Sequence, residues 1–279
     1  MPKDVEGMVG LFQLEQVDEC HWQGPQPDTP FQRLFGGHVL GQTLVAAQAS
    51  VLPERQVHSL NSYFLRPGSP DGPLEFEVEK IRDGSTFSNR RVLAKQFGKP
   101  IFEMQASFQE PEPGLEHTAN QPYLGLNPPS ESPSLRSVLD GMFGSHIEIL
   151  SEWDALDVRM AAEPTVDDQG AHLKAWVRTK SPMPSDPLLH NATLAYLSDI
   201  TLLSVTTIPH EVQLMSPNLQ AASIDHTMWF HRPAKTDQWL LYDMNSPSAA
   251  GARGFCIGRL YQNGVIVATC AQEGLLRIL

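Results

Sequence analysis

Two segments of the chain resemble each other closely enough to indicate an internal duplication. Residues 62–67 read Ser-Tyr-Phe-Leu-Arg-Pro, and residues 228–233 read Met-Trp-Phe-His-Arg-Pro. The likeness continues downstream in the same order: Arg90 is echoed by Arg253, and residues 101–110 by residues 265–273. A repeat that keeps its order predicts a duplicated domain. A fold that occurs twice offers two equivalent positions for an active site, and the half with added polar residues on a buried face is the better candidate.

Each half of the chain shows the same order of elements. Residues 36–52 carry no charged side chain apart from one histidine and have no clearly polar face, which predicts a buried helix. Apolar and polar residues alternate at 74–81 and 101–109, as in half-buried antiparallel strands. The second half has an apolar helix over 187–205, preceded by a capping aspartate and started by a proline. Its predicted strands are 156–160, 171–179, 223–231, 238–245, 254–262 and 265–273.

A buried helix wrapped by a curved antiparallel sheet is the hotdog fold. The chain is therefore predicted to be an α+β protein with two tandem hotdog domains, a double hotdog. We expect the first domain over 1–112 and the second over 151–279. Residues 113–150 between them are rich in proline and serine and show no sustained period, which indicates a linker.

Composition narrows the range of partners. The formal charge of −12 argues against nucleic acid, because phosphate binding requires a concentrated basic surface. No run reaches the roughly 18 consecutive apolar residues that a spanning helix needs, so we expect no membrane insertion. Three cysteines without metal-ligand spacing favour neither disulfides nor zinc. A cytoplasmic protein without metal or cofactor is expected, and the chain also lacks a nucleotide-binding glycine loop or nucleophile elbow.

The strongest chemical clue lies in the second apolar helix. Asp199 is the only carboxylate between Asp186 and Glu211, and at helical spacing it falls on an apolar stripe. Burying an unpaired carboxylate costs several kcal/mol, so it must be paired, neutralised or functional. A structural aspartate near a helix end is the alternative interpretation. When His38 is aligned with His190, Asp199 falls opposite an alanine, so the first half lacks this carboxylate in that alignment.

Gln272 marks a second difference between the halves. The alternating face that ends at Gln109 is polar in the first half, whereas the corresponding face in the second half is Ile266, Ala268 and Cys270. We therefore expect Gln272 to point inward. A buried amide must be hydrogen-bonded, and because it both donates and accepts it suits positioning a water or a carbonyl. A satisfied structural amide is the alternative.

Five segments in this order resemble the acyl-CoA thioesterase II family: residues 33–42, 58–68, 82–88, 223–233 and 272–274. The resemblance implies a double hotdog that hydrolyses acyl-CoA thioesters with an attacking water. It also implies that the second half positions this water with an aspartate, a serine or threonine, and a glutamine. At the matching positions these are Asp199, Ser223 and Gln272. His38 and Asn61 depart from the residues expected in the family, which affects substrate preference more than chemistry.

We therefore predict that Asp199 acts as a general base while Ser223 and Gln272 orient the water. Backbone N–H groups at Gly36-Gly37 are candidate donors to the oxyanion. The acyl chain is expected between helix and sheet, among Tyr63, Phe64, Met228 and Trp229. A few arginines can hold a phosphate even in an acidic protein. The candidate substrate-binding residues are Gly37, His38, Asn61, Tyr63, Arg90, Met228, Trp229 and Arg253.

Two other functions remain open from the sequence. An enoyl-CoA hydratase or dehydratase of the same fold would need a paired aspartate and histidine, but the neighbours Asp225 and His226 point to opposite faces of a strand. A non-catalytic acyl-CoA-binding protein would make Asp199 structural. We expect acyl-CoA as the small-molecule partner, a homo-oligomer, and one hydrolytic site per chain.

Overall fold

The computed structural model describes residues 2–29, 31–119, 122, 125–143, 153–210, 212–214 and 216–279. Its α-helices are α1 (Val5–Leu11), α2 (Gly36–Gln48), α3 (Leu135–Phe143) and α4 (Pro187–Ser198), and a 3-10 helix spans Leu203–Thr207. The strands of the first half are β1 (Glu15–Gln16), β2 (His21–Gln23), β3 (Gln56–Phe64), β4 (Glu75–Asp83), β5 (Phe87–Gln96) and β6 (Lys99–Gln109). Those of the second half are β7 (Leu156–Met160), β8 (Thr165–Asp167), β9 (Gly170–Thr179), β10 (Leu219–Ser223), β11 (Asp225–Phe230), β12 (Leu240–Ala250), β13 (Arg253–Gln262) and β14 (Val265–Ile278).

Within the described residues, these strands form one fourteen-stranded antiparallel sheet. Twelve of them follow the order β1-β2-β4-β5-β6-β3-β11-β14-β13-β12-β9-β7, while β10 pairs with β14 and β8 with β9. The first six strands in this order come from the first half and the next six from the second half. Among the described strands, the pairing of β3 with β11 is the one that joins the two halves into a continuous sheet.

Helices α2 and α4 lie buried against each other inside this sheet. Glycines in α2 permit their close approach, since a Cβ at Gly37 would lie 2.3 Å from the carbonyl oxygen of Tyr196 in α4. The start of α4 follows the predicted signals, because Pro187 is its first residue and the Asp186 side chain accepts from the Leu188 N–H at 2.9 Å. Both helices are shorter than predicted.

This arrangement is the predicted double hotdog, two buried helices enclosed by antiparallel strands. The proposed domain limits remain a prediction, and helix α3 lies within the segment expected to be a linker. Residues 144–150 of that segment lie outside the described residues. Among the described residues, no helix combines the length and apolar character needed to cross a membrane.

The pairing of β3 with β11 has approximate two-fold symmetry. Asn61 and Thr227 are paired at its centre, with Tyr63 opposite Asp225 on one side and Ser59 opposite Trp229 on the other. Tyr63 and Trp229 therefore occupy equivalent positions, as the sequence repeat indicates. By the same correspondence, the counterpart of His226 is Leu60, which is also buried.

The same symmetry corrects two of the correspondences read from the sequence. Leu60 is paired with Ala106, while the continuing β11–β14 register places His226 beside Gln272. Ala106, and not Gln109, is thus the counterpart of Gln272. Arg90 is paired with Ala106 and Cys256 with Gln272, so the counterpart of Arg90 is Cys256 rather than Arg253. The sequence alignment was out of register because it superposed the Gln-Glu dipeptides at 109–110 and 272–273. The strand pairing instead makes Ala106 the equivalent of Gln272.

Candidate active site

Asp199, Ser223 and Gln272 come together around one amide group. Asp199 caps the C-terminal end of α4, Ser223 is the last residue of β10, and Gln272 lies within β14. Gln272 Nε2 lies 3.0 Å from Asp199 Oδ1 and 2.6 Å from Ser223 Oγ. A primary amide has two hydrogens, and these distances assign one to each neighbour.

The three side chains differ in their exposure to solvent. Gln272 is fully buried, as predicted from its apolar face. Asp199 and Ser223 are only partly buried. Within the cluster, burial is therefore greatest at the Gln272 amide and lower at the residues that carry the carboxylate and the hydroxyl.

The first half of the chain also contributes to this cluster. The backbone N–H of Gly37, in the first turn of α2, faces the Asp199 carboxylate and lowers its pKa. A Cβ at Gly36 would lie 2.5 Å from Asp199 Oδ2, so any other residue there would displace the carboxylate. The N-terminus of α2 favours a negative charge at this position, whereas the C-terminus of α4 disfavours it. The N–H predicted as an oxyanion donor is thus directed at the carboxylate.

Burial makes Asp199 a proton acceptor suited to neutral pH. Loss of solvent raises its pKa from 3.8 to about 7, and hydrogen bonds from Gln272 and Gly37 limit that rise. A general base works best when its pKa lies near the operating pH. Perturbed pKa values of this kind cluster at functional sites, and here the group also lies beside a hydroxyl.

A fourth residue, His226, was not identified from the sequence as part of the site. It is fully buried on β11, with Nδ1 3.3 Å from Gln272 Oε1 and Nε2 2.9 Å from Ser198 Oγ. Burial alternates along β11, so Asp225 lies on the opposite face, where Oδ1 accepts the Glu273 N–H at 2.7 Å. Placing His226 on the face of Gln272 required the strand register, which the sequence alone did not supply.

Three of the candidate substrate-binding residues lie on the outer face of the sheet. Tyr63 is 52% exposed and Trp229 is 42% exposed, while Asn61 Nδ2 donates to Thr227 Oγ1 at 2.6 Å. The expectation that Tyr63 and Trp229 lie between helix and sheet is wrong. The alternation of β3 and β11 turns them outward, because their neighbours Ser62 and Met228 face the core.

The structure also argues against Arg90 as a phosphate-binding residue. Its guanidinium is buried and bonded to protein groups at the end of α2, namely Ser50 Oγ at 2.9 Å and the Ser50 carbonyl at 3.0 Å. Further hydrogen bonds reach both carboxylate oxygens of Asp83 at 2.8 and 3.1 Å. Arg90 therefore fixes the fold of the first half. Arg253 is about half exposed and pairs with Glu273 at 2.9 Å, and its role remains a prediction.

The remaining candidates lie close to the helices. His38 is buried in α2, its pKa is lowered by burial to about 4, and its Nε2 has no hydrogen-bond partner among the described residues. Met228 is fully buried in the core. Phe64 points inward and packs on Phe102 with ring centroids 4.8 Å apart. Gly36 lies against Phe64, whose Cζ would be 3.1 Å from a Cβ at that glycine, so Phe64 borders the carboxylate.

A carboxylate with a pKa near neutrality, beside a hydroxyl and an amide, is an arrangement suited to activating water for hydrolysis. Known proteins agree with this class. The model of the acyl-CoA thioesterase N-terminal domain matches residues 25–109, and the acyl-CoA thioesterase model matches residues 150–275. Acyl-coenzyme A thioesterase 8 of Homo sapiens is 37% identical, over 96% of this chain and 88% of its own length.

Solved structures give the same result. An acyl-CoA thioesterase II from Mycobacterium marinum is 38% identical and superposes with a TM-score of 0.82, covering 98% of this chain and 97% of its own. A hotdog-fold protein from Alicyclobacillus acidocaldarius, 21% identical, has a TM-score of 0.76 with 98% of both chains covered, and shares the fold.

The chain therefore belongs to the acyl-CoA thioesterase family. It is an acyl-CoA thioester hydrolase built as a double hotdog. This result sets aside the hydratase and the non-catalytic binding protein that the sequence left open.

Proposed function

We propose that Asp199, Ser223 and Gln272 carry out acyl-CoA hydrolysis by direct attack of water on the thioester carbonyl. The observation that supports this most strongly is the convergence of Asp199 and Ser223 on the same amide nitrogen of Gln272. Asp199, ionised above a pH of about 7, accepts a proton from the water as the water oxygen bonds to the carbonyl carbon. The tetrahedral intermediate then expels CoA as the thiolate, which takes up a proton.

Ser223 orients the water in this scheme. Its oxygen accepts from Gln272 at 2.6 Å, so its own hydrogen remains to donate to the water oxygen. The water thus donates to Asp199 and accepts from Ser223, which leaves a lone pair for the carbonyl carbon. Holding reactants in this way lowers the entropic part of the barrier, and general-base assistance contributes roughly 10²–10⁴-fold.

A covalent acyl-serine intermediate is disfavoured by the contacts of Ser223. An activated serine needs a base that takes its proton, whereas the group that contacts Ser223 Oγ is a donor, the Gln272 amide. No histidine hydrogen-bonds Ser223 within the described parts of the chain. Ser223 therefore acts as a donor to water, not as a nucleophile.

One site per chain follows from the comparison of the halves. The first half has Leu60 and Ala106 where the second has His226 and Gln272. The Arg90 guanidinium lies against the C-terminal end of α2, where it is hydrogen-bonded to Ser50 and Asp83. We infer that the first half supports the site through Gly36 and Gly37 and does not hydrolyse substrate itself.

Rapid-mixing assays of CoA release test this mechanism. Wild type should show no burst of CoA before steady-state turnover, because no acyl-enzyme accumulates. Ser223→Thr should keep turnover within a few-fold, whereas Ser223→Ala should lose roughly 10–100-fold and still turn over. A burst with the stoichiometry of the enzyme, together with complete loss in Ser223→Ala, would establish a covalent route.

We also propose that the substrates are fatty acyl-CoA esters and that the protein acts in cytoplasmic lipid metabolism as a homo-oligomer. The apolar surroundings of Phe64 support an acyl chain, and the three free cysteines fit a reducing compartment. The exposed Tyr63 and Trp229 on the outer face of the sheet offer a contact for a second copy. A panel of acyl-CoA chain lengths tests the substrate, and light scattering with Trp229→Lys tests the contact.

A further inference from the structure

His226 is a buried titratable side chain that the proposed chemistry does not use directly. It makes two side-chain contacts, with Gln272 Oε1 at 3.3 Å and with Ser198 Oγ at 2.9 Å. Among the described residues, no hydrogen bond joins its ring to Asp199 or Ser223. It therefore lies directly behind the Gln272 amide, where it can influence how that amide is oriented.

An amide side chain can be turned in two ways, and only one suits the chemistry. If the amide oxygen faced Asp199, two acceptors would oppose each other and the carboxylate would lose its hydrogen bond from Gln272. With the NH₂ group toward Asp199 and Ser223, the oxygen faces His226 Nδ1. This oxygen only accepts, so His226 must donate from Nδ1.

A hydrogen on Nδ1 also determines the hydrogen-bonding role of Nε2, the other ring nitrogen. A neutral imidazole with its hydrogen on Nδ1 accepts at Nε2, where the hydroxyl of Ser198, 2.9 Å away, can donate. Ser198 also lies 2.8 Å from the carbonyl of Ala195, and its single hydrogen can serve either acceptor. The hydrogen bond from Tyr242 Oη to the Ser198 carbonyl, at 2.5 Å, holds this end of α4 against β12.

The first half of the chain provides an internal comparison. Its equivalents of His226 and Gln272 are Leu60 and Ala106, and both are buried. Where the amide is absent, the histidine is absent too, and two apolar side chains fill the same positions. The histidine and the glutamine thus occur together, in the half that holds Asp199.

We propose that His226 is a positioning residue, which as the neutral Nδ1–H tautomer fixes the Gln272 amide with its NH₂ group toward Asp199 and Ser223. This inference rests on the proposed function of Gln272. Burial agrees with a neutral ring, since it lowers the pKa of His226 to about 4. The ring therefore carries one hydrogen throughout the neutral range.

Two substitutions distinguish the loss of the Nδ1 donor from the loss of the rest of the imidazole ring. The side-chain NH₂ of asparagine in His226→Asn reaches the position of Nδ1 and can still donate to Gln272. The longer His226→Gln places its amide toward Ser198 and leaves Gln272 without that donor. We expect kcat to fall about tenfold in His226→Gln, the value of one hydrogen bond in the rate, with KM within about twofold. His226→Asn should recover most of kcat.

A pH profile distinguishes positioning from general disruption. The Gln272 hydrogen bond lowers the pKa of Asp199, so loosening this bond should move the acid limb of kcat to higher pH in His226→Gln and not in His226→Asn. The other titratable groups around Asp199 are Tyr242, Cys256 and Cys270, whose pKa values burial raises, that of Cys270 to about 12. Asp225 faces away on the opposite side of β11.

Nitrogen NMR of the wild-type protein with labelled histidine gives a test that needs no variant. We expect a neutral His226 protonated at Nδ1 at pH 7. A ring protonated at Nε2, or an imidazolium, would overturn the proposal, and so would full kcat and an unchanged pH profile in His226→Gln. If instead Asp199→Asn keeps its turnover, the proposed function itself fails, whatever the tautomer.

Discussion

Replacing Asp199 with asparagine should stabilise the protein above neutral pH. Burial raises the pKa of Asp199 from 3.8 to about 7, so the folded state binds this proton more tightly than the unfolded state. The stability from this proton is intact below a pH of about 4 and is lost as the pH rises through about 7. At pH 8 the ionised carboxylate then costs up to ~4 kcal/mol, and at pH 5 up to ~2 kcal/mol.

Asparagine removes this cost at the expense of one hydrogen bond. Its oxygen can accept from Gln272 or Gly37, but its NH₂ group then faces a donor, which costs about 1 kcal/mol. Partial exposure of Asp199 lowers the gain further. We expect Asp199→Asn to be about 1–2 kcal/mol more stable than wild type at pH 8, with the difference vanishing or reversing by pH 5.

Thermal unfolding by circular dichroism between pH 5 and 8 measures this difference. A gain of 1–2 kcal/mol corresponds to a Tm increase of roughly 2–8 °C in a chain of this size. Asp186→Asn is the matched control, because it makes the same change at the other end of α4, where asparagine caps equally well. A Tm difference that does not change with pH would refute a buried, raised-pKa carboxylate at Asp199.

Further predictions concern the rate, the packing of the helices and Arg90. The kcat of wild type should fall below an acid limb with a midpoint near pH 7, because protonated Asp199 cannot accept a proton; a midpoint near pH 4 would contradict this. Gly37→Ala should lower both Tm and kcat, since its Cβ would lie 2.3 Å from a backbone oxygen, whereas Gly10→Ala in α1, with nothing within 4 Å, should be neutral or slightly stabilising. Arg90→Met should lower the free energy of unfolding by ~2 kcal/mol. It should leave KM for acyl-CoA unchanged, because the Arg90 guanidinium is bonded to protein groups. A raised KM at unchanged Tm would instead indicate that Arg90 contacts the substrate.

The sequence was most informative where a pattern reflects burial. The repeat and the apolar helices predicted the double hotdog, and the isolated carboxylate at Asp199 identified the cluster, because an ionisable group on an apolar face has few structural explanations. The apolar face of the last strand likewise predicted that Gln272 is buried. These inferences need only local periodicity.

Features that depend on strand register were not predictable in the same way. Tyr63 and Trp229 are aromatic and lie in a strongly repeated segment, but a shift of one residue decides whether they face the core or the outer surface. The contact of His226 with Gln272 depends on the pairing of β11 with β14. Arg90 resembled a phosphate ligand because composition shows its charge and not the Asp83 carboxylate that neutralises it.

The ends of helices were also predicted inaccurately. Helix α4 ends at Ser198, although the apolar pattern continues, so Asp199 lies just past the helix and not on its apolar stripe. Thr201 then adopts a positive φ of 60°, which turns the chain into the 3-10 helix. The Asp199 carboxylate lies beside Gly36 at the start of α2, a contact between the halves that local sequence cannot show.

The central claim is that Asp199 is the base that activates water. Its most direct test is the kcat of thiol release from a fatty acyl-CoA at pH 8, measured for wild type, Asp199→Asn and the control Asp186→Asn. Asp199→Asn should lose at least about 100-fold in kcat with KM changed only a few-fold, while Asp186→Asn keeps wild-type turnover. A folded Asp199→Asn that turns over like wild type would contradict the claim.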